Sequence, residues 1–223
     1  MHCIYQICTG CDYLESKNVV YCDLRAANVL VDENYMAKLS DFGLAKLLRR
    51  DVSDDNLANE NTSFPIRWTA PEAIYLKRFS SKSDIWSLGV LIWEMVTLGK
   101  SPYPGLTNKT VAERIQKGYR MPNPAEDESL APWCPANLYG LMLNCWHTKL
   151  ELRPDFAIAK EIVEGILEKW KTNQAGGRGA ERAGRGKQAE CYESPSENVY
   201  INVKFESNTG PSTARLGKTG RNP

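Results

Sequence analysis

The stretch SDIWSLGVLIWEMVTLG, residues 83–99, is apolar on nearly all sides when it is placed on a helical wheel. A helix that is hydrophobic all round lies in the core of a protein rather than on its surface. Ser83 or Asp84 stands where such a helix would begin, and Gly99 follows the last apolar residue, as expected where a helix ends. The stretch therefore predicts a central buried helix on which the rest of the chain packs.

Hydrophobic spacing on either side of this stretch predicts a mainly α fold. The short apolar runs NVLV and MAKL, residues 28–31 and 36–39, flank the turn DENY and predict a small β-hairpin sheet. Residues 44–64 are polar and without a period, so they predict a long loop. Apolar residues recur at helical spacing in four further segments: 3–17, 108–117, 136–147 and 155–170.

Composition and charge argue against several classes of protein. The net charge of +1 gives no argument for nucleic-acid binding, and no apolar run reaches the length of a transmembrane segment. The seven cysteines lack the paired spacing of a zinc site, because Cys8 and Cys11 are followed by no second pair. We therefore expect reduced thiols in a cytoplasmic protein.

The character of the sequence changes at about residue 172. The stretch GGRGAERAGRGKQ, which begins at Gly176, is rich in glycine and arginine, and the residues after it are polar with scattered glycine and proline. Such a composition does not supply enough apolar surface for a packed core. The sequence therefore predicts a folded domain over residues 1–171 and a mostly disordered C-terminal tail over residues 172–223.

Asp23, Asn28 and the triplet Asp41-Phe42-Gly43 form a pattern that suits phosphoryl transfer. That reaction requires metal ions on the nucleotide phosphates and an acceptor hydroxyl held in line with them. Oxygen ligands on two separate segments, Asn28 and Asp41, suit Mg²⁺. A carboxylate at Asp23 can accept the proton of the acceptor hydroxyl. Gly43 would allow the chain to turn sharply after the metal ligand.

Six motifs give this pattern a family context: DLRAAN, DFG, FPIRWTAPEAI, SKSDIWSLGVLIWEM, SPYPG and CWHTKLELRP. In this order and spacing they resemble the C-terminal lobe of a protein kinase, and the resemblance covers residues 3–170. DLRAAN corresponds to the catalytic loop, and FPIRW corresponds to the substrate loop of the tyrosine kinases. Arg25, two residues after Asp23, is also similar to that branch, in which both the Src and the Csk families resemble this chain. The resemblance implies a cytoplasmic, non-receptor protein-tyrosine kinase.

The resemblance also implies catalytic roles and cofactors. In the catalytic loop, Asp23 would act as the base, together with Arg25 and Asn28. Leu30 and Asp41 would bind ATP, and Mg²⁺ would lie between Asn28 and Asp41.

Further residues would bind the substrate or hold the site together. Pro65 and Trp68 of the substrate loop would bind protein substrates that carry a tyrosine. Glu72 is expected to pair with Arg153, and Asp84 is expected to hold the backbone of the catalytic loop. The full set with an implied structural role is Tyr21, Phe42, Gly43, Glu72, Asp84 and Arg153.

The chain departs from the kinase pattern in two ways. It contains no glycine-rich loop and no strand lysine of an N-terminal lobe. We therefore expect a fragment that is weakly active or inactive alone, with ATP and Mg²⁺ bound only when that lobe is present.

The second departure concerns regulation. Tyr21 and Cys22 stand where the family has histidine and arginine, and the activation segment, residues 44–70, contains no tyrosine. The family's arginine grips a phosphorylated tyrosine of that segment, which cysteine cannot do. We therefore expect a preserved base and metal site without the usual phosphorylation switch. An aromatic residue at position 21 can still contact Phe42.

The tail carries a candidate phosphorylation site at Tyr200 in ENVYINV and a weaker one at Tyr192 in CYESP. A phosphorylated Tyr-x-Asn motif resembles a docking site for SH2-domain adaptors, which hold the phosphate with arginine. An alternative function therefore stays open: a non-catalytic kinase lobe that acts as a binding module, with Tyr200 as its docking site.

Overall fold

The computed structural model of the chain describes residues 1–47, 64–127 and 134–177. Over these residues the predicted mainly helical fold with a small antiparallel sheet is confirmed. The helices are α1 (His2–Ser16), α2 (Pro71–Leu76), α3 (Ser81–Val96), α4 (Asn108–Gln116), α5 (Ala136–Cys145) and α6 (Phe156–Gly177). The strands are β1 (Val19–Val20), β2 (Val29–Val31), β3 (Ala37–Leu39) and β4 (Lys46–Leu47). Single 3₁₀ turns lie at Ala26–Asn28, Pro124–Glu126 and Leu150–Leu152.

Helix α3 is the buried centre that its sequence predicts, since every residue from Ser83 to Glu94 is buried. It begins earlier than predicted, because Ser80 rather than Ser83 or Asp84 caps it. The Ser80 hydroxyl accepts a hydrogen bond from the Ser83 backbone N–H, and the Ser83 hydroxyl accepts one from the Ser80 N–H. This reciprocal capping box satisfies two backbone donors that the helix itself leaves open.

The helices α3 and α5 approach each other closely at Gly89. A Cβ atom at this position would lie 2.6 Å from Trp146 Nε1 and 2.9 Å from Cys145 Cβ. Both distances are too short for a real contact, so only glycine permits this packing. On the other side of the core, α1 packs along α6.

Two antiparallel strand pairs flank the catalytic loop. The predicted hairpin is present as β2 and β3, with Val29 opposite Leu39 and Val31 opposite Ala37. The second pair joins β1 to β4, and Val20 lies opposite Lys46. The sequence analysis placed residues 46–47 in a loop, which is wrong, because a two-residue strand has no period and its partner lies 26 residues away.

The helices α2 and α6 differ from what the sequence predicts. Helix α2 was not predicted, since six residues are too few for a helical period; Pro71 occupies its first turn, where no backbone N–H is needed. Helix α6 continues past residue 171 into the beginning of the predicted tail, with an ion pair between Glu168 and Lys171 on its surface. The rest of the predicted tail lies outside the described residues.

Candidate active site

The backbone before the catalytic loop is fixed by Asp84, in the first turn of α3. Asp84 Oδ2 accepts a hydrogen bond from the Tyr21 N–H at 2.6 Å, and Oδ1 accepts one from the Cys22 N–H at 2.9 Å. These are the contacts expected of Asp84. Burial raises the pKa of this carboxyl to about 7, although the two backbone donors oppose the shift.

The Asp23 carboxylate is buried and held from two sides. Asn28 Nδ2 donates to Asp23 Oδ2 at 2.8 Å and to the Asp23 carbonyl oxygen at 2.9 Å. Arg25 Nε lies 3.0 Å from Asp23 Oδ1. This distance makes an ion pair, but the two atoms are not aligned as a hydrogen bond, and Oδ1 has no hydrogen-bond donor among the described residues. Arg25 therefore covers Asp23 Oδ1, although this oxygen accepts no hydrogen bond from it.

The surroundings of Asp23 raise its pKa above the ordinary aspartate value. Burial is the main cause, and the negative charge of Asp41 acts in the same direction. The hydrogen bond from Asn28 and the charge of Arg25 oppose the shift. Asp23 consequently holds a proton more readily than a free aspartate does, which is the direction required of a proton acceptor.

Asp41 follows β3 in a tight turn. Its backbone has a φ of 54°, and its Oδ1 accepts a hydrogen bond from the Gly43 N–H at 3.2 Å. The left-handed residue of the turn is thus Asp41 rather than Gly43. Glycine suits position 43 for another reason, since a Cβ there would lie 3.1 Å from Asp41 Oδ1.

The segments of Asn28 and Asp41 are tied together by Ser40. Its backbone N–H and its hydroxyl both donate to the Asn28 carbonyl oxygen, at 2.9 and 3.0 Å. Tyr21 also reaches this junction, because its hydroxyl donates to the Ser40 carbonyl oxygen. The predicted contact between the rings of Tyr21 and Phe42 is present, edge to face, with centroids 5.2 Å apart.

The residues fit a magnesium site of two protein ligands. Asn28 uses its amide nitrogen toward Asp23, so its amide oxygen is not engaged in those bonds. The Asp41 carboxylate is exposed at the end of β3. Both atoms are the hard oxygen ligands that Mg²⁺ takes alongside water and phosphate oxygens. Within residues 1–47, 64–127 and 134–177, no cluster of three His, Cys, Asp or Glu side chains could hold a metal ion.

The substrate loop is fastened to α3 through Trp68 and Glu94. Trp68 Nε1 donates to Glu94 Oε2 at 2.7 Å, and the Trp68 carbonyl oxygen accepts from the Ser87 hydroxyl at 2.8 Å. Pro65 and Trp68 are both half-buried, as is Leu30 on β2.

Sequence reasoning missed Glu94. This buried carboxylate also accepts a hydrogen bond from the Ala26 N–H of the catalytic loop, at 3.0 Å. A single glutamate within an otherwise apolar buried helix was the available signal, because a buried charge requires partners.

The predicted pair of Glu72 and Arg153 is a bidentate ion pair. The two guanidinium nitrogens lie 2.7 and 3.0 Å from the two carboxylate oxygens. The Arg153 side chain is fully buried and also lies over the ring of Trp86. The pair joins α2 to the segment that leads into α6.

Cys22, which stands where the kinases that the chain resembles have arginine, lines a small cavity together with Thr69 and Ala70. Its φ is 66°, and burial raises the pKa of its thiol to about 12, so it stays uncharged. Lys46 of β4 lies 4.5 Å from the ring centroid of Phe79 and 5.5 Å from that of Phe64. The contact of Lys46 with Phe64 thus joins the first described part of the activation segment to its last part, and the contact with Phe79 joins it to the residues after α2. Residues 48–63, between them, lie outside the described residues.

The two candidate phosphorylation sites, Tyr192 and Tyr200, lie outside the described residues. Within the described part of the chain, every helix is too short or too polar to cross a bilayer.

Comparison with known proteins agrees with this geometry. Residues 1–163 match the family model for protein tyrosine and serine/threonine kinases. The chain is also 46% identical over 159 residues to the tyrosine-protein kinase SRK3 of Spongilla lacustris, in an alignment that covers 71% of this chain and 45% of that protein. The chain therefore spans a little less than half the length of this curated relative. On these grounds the chain belongs to the protein tyrosine and serine/threonine kinase family.

Proposed function

We propose that this chain carries the catalytic loop and the substrate-binding part of a protein-tyrosine kinase, which transfers a phosphoryl group from ATP to a tyrosine of a protein substrate. Family membership supports phosphoryl transfer as the reaction. The sponge relative is a tyrosine-protein kinase, which favours tyrosine over serine as the acceptor.

The observation that carries the proposal is the setting of Asp23. Its carboxylate is buried, is oriented by Asn28 at 2.8 Å, and has a raised pKa. A carboxylate of raised pKa is a stronger base than a free aspartate, so it can accept the proton of an acceptor hydroxyl. Arg25 balances the charge of this carboxylate from the other side.

Asn28 and Asp41 would hold Mg²⁺, and Leu30 would contact the adenine ring of ATP. When bound, the metal would neutralise charge on the phosphates. The half-buried position of Leu30 on β2 supports an apolar contact there. The described residues include no glycine-rich loop to cover the phosphates, so we expect this chain by itself to bind ATP weakly.

Pro65 and Trp68 would place the acceptor tyrosine. Their loop is braced internally by a hydrogen bond from the Thr69 hydroxyl to the Pro65 carbonyl oxygen at 3.0 Å, and it is held to α3 by the bond from Trp68 to Glu94. A fixed loop next to Asp23 can orient a substrate at low entropic cost.

Three further features stay predictions: a folded domain over residues 1–171 followed by a tail, a cytoplasmic location, and SH2-adaptor docking at phosphorylated Tyr200. The sequence ENVYINV is the support for the docking site.

Three peptides that differ only in the acceptor residue test the proposed function. The natural protein that carries this chain is incubated with radiolabelled ATP, Mg²⁺ and a peptide bearing tyrosine, serine or phenylalanine. We expect label on the tyrosine peptide, because its long side chain can reach a buried base, and background label on the other two. Label on the serine peptide at an equal rate, or on none of the three, would contradict the proposal.

A further inference from the structure

We propose that Glu94 is a positioning residue that, acting through Trp68, sets where the Arg25 guanidinium lies relative to Asp23. The inference rests on the proposed function, because it concerns how an acceptor hydroxyl gains access to the base. It assigns a task to a buried carboxylate in the middle of the core helix.

A single oxygen of Glu94 joins two functional loops. Oε2 accepts hydrogen bonds from the Ala26 N–H of the catalytic loop at 3.0 Å and from Trp68 Nε1 of the substrate loop at 2.7 Å. The side chain is rigidly placed, since Glu94 is buried on α3. Glu94 therefore fixes the two loops relative to each other.

The side chain of Arg25 extends from the catalytic loop toward the substrate loop. Its Nε is 3.0 Å from Asp23 Oδ1, and its Cζ is 5.9 Å from the centre of the Trp68 ring. The guanidinium covers Asp23 Oδ1, the oxygen that lacks a hydrogen-bond donor. The position of Arg25 therefore decides how open this oxygen is to an acceptor hydroxyl.

The Trp68 ring and Glu94 provide the place toward which Arg25 can move. An aromatic face attracts a guanidinium, and the Glu94 carboxylate attracts it further. Arg25 already interacts with Glu94 in this structure. Burial raises the pKa of Glu94, and the charge of Arg25 is one of the influences that oppose this shift. One cation is thus shared between two carboxylates.

The sharing predicts the sign of a kinetic effect. Without the charge of Glu94, Arg25 pairs with Asp23 alone and covers Asp23 Oδ1 more completely. Turnover should therefore fall, while the binding of ATP stays the same.

The kinetic test uses Glu94→Gln, Trp68→Phe and the double variant in the natural protein that carries this chain. We expect Glu94→Gln to lower kcat for a tyrosine peptide by about tenfold and to leave KM for ATP unchanged. Because Glu94 acts through Trp68, the double variant should lose no more than the larger single loss. Glu113→Gln, a matched change on an exposed part of α4, should change nothing. Losses that multiply in the double variant, or an unchanged kcat in Glu94→Gln, would overturn the inference.

A spectroscopic test needs no catalysis. In the 223-residue chain labelled with ¹⁵N-tryptophan, the indole N–H signal of Trp68 is identified by its loss in Trp68→Phe. It should move in Glu94→Gln and stay in place in Glu113→Gln; an unmoved signal in Glu94→Gln would also overturn the inference.

The activity of Asp23→Asn is assayed in parallel, so that an active Asp23→Asn variant counts against the proposed function. An inactive Asp23→Asn beside an unaffected Glu94→Gln counts against the role of Glu94 alone.

Discussion

Asp23, Asp84 and Glu94 are buried acids, and at the scale of single residues they define the site. Each meets the cost of burial with specific donors. Asp84 has two backbone N–H groups, Glu94 has one backbone N–H and an indole N–H, and Asp23 has an amide and a guanidinium. Among the described residues, Asp23 Oδ1 is a buried carboxylate oxygen that receives no hydrogen bond, which fits a residue that must accept a proton.

Asp84 should make folding stability depend on pH. Its folded pKa of about 7 lies above the unfolded value, so the folded state binds a proton that the unfolded state has lost. The stabilisation from this group is therefore complete below about pH 4 and is lost as the pH rises through about 7. Urea titrations at about pH 5 and about pH 8 measure the unfolding free energy of each protein. Its decrease from the lower to the higher pH should be larger for the wild type than for Asp84→Asn. Equal decreases in the two proteins would show that Asp84 does not cause this pH dependence.

The sequence singles out Asp23, Asn28 and Asp41 as candidates, since their spacing within short motifs carries the signal. It could not identify the partners of Glu94, because Ala26 is 68 residues away and Trp68 is 26 residues away. Hydrogen bonds over such separations depend on the folded arrangement. The sequence places a sharp turn at Gly43, and the left-handed conformation of that turn belongs to Asp41.

At the scale of elements, the packing of α3 and α5 depends on Gly89. Elsewhere, replacing a helical glycine by alanine stabilises a helix by up to about 1 kcal/mol. At Gly89 the added methyl would overlap with Trp146 and Cys145 of the neighbouring segment, and overpacking costs about 1–3 kcal/mol. Gly89→Ala should therefore lower the unfolding free energy, whereas Gly165→Ala, which has open space on α6, should keep or raise it. A stabilised Gly89→Ala variant would show that the two helices separate easily.

The ion pair between Glu72 and Arg153 fastens α2 beneath the substrate loop. Glu72→Gln leaves a fully buried guanidinium without its carboxylate, so the unfolding free energy should fall by about 3–5 kcal/mol. Adding Arg153→Met removes the unpaired charge, and the double variant should be more stable than Glu72→Gln alone. Urea unfolding measures both values, and a Glu72→Gln variant of wild-type stability would mean that solvent reaches Arg153.

Element boundaries were predictable only where the signal was local. The burial of α3 follows from its apolar sequence, but its start depends on the side chain of Ser80, which lies before the apolar run. The strand β4 exists because it pairs with β1, and α2 is too short to show a period. The length of α6 exceeds the prediction because residues 171–177 carry no apolar spacing by which a helix could be recognised.

At the scale of the whole molecule, the chain divides after Arg185. The first unit covers residues 1–185, and the second, residues 186–223, lies outside the described residues. The buried hydrophobic core of the described part ends at Leu167. We therefore predict that deletion of residues 186–223 shifts the thermal midpoint by no more than about 1 °C, since a loss of 1 kcal/mol would move it by several degrees. A markedly lower midpoint by calorimetry would mean that the second unit supports the fold.

The most direct test of the central claim is the turnover of Asp23→Asn. In the natural protein that carries this chain, kcat for a tyrosine peptide is measured for the wild type, for Asp23→Asn and for Glu33→Gln, a matched loss of charge at an exposed turn residue. If Asp23 accepts the proton of the acceptor hydroxyl, Asp23→Asn should lose about 10²–10⁴-fold in kcat, while Glu33→Gln keeps the wild-type rate. Wild-type turnover in Asp23→Asn would contradict the account.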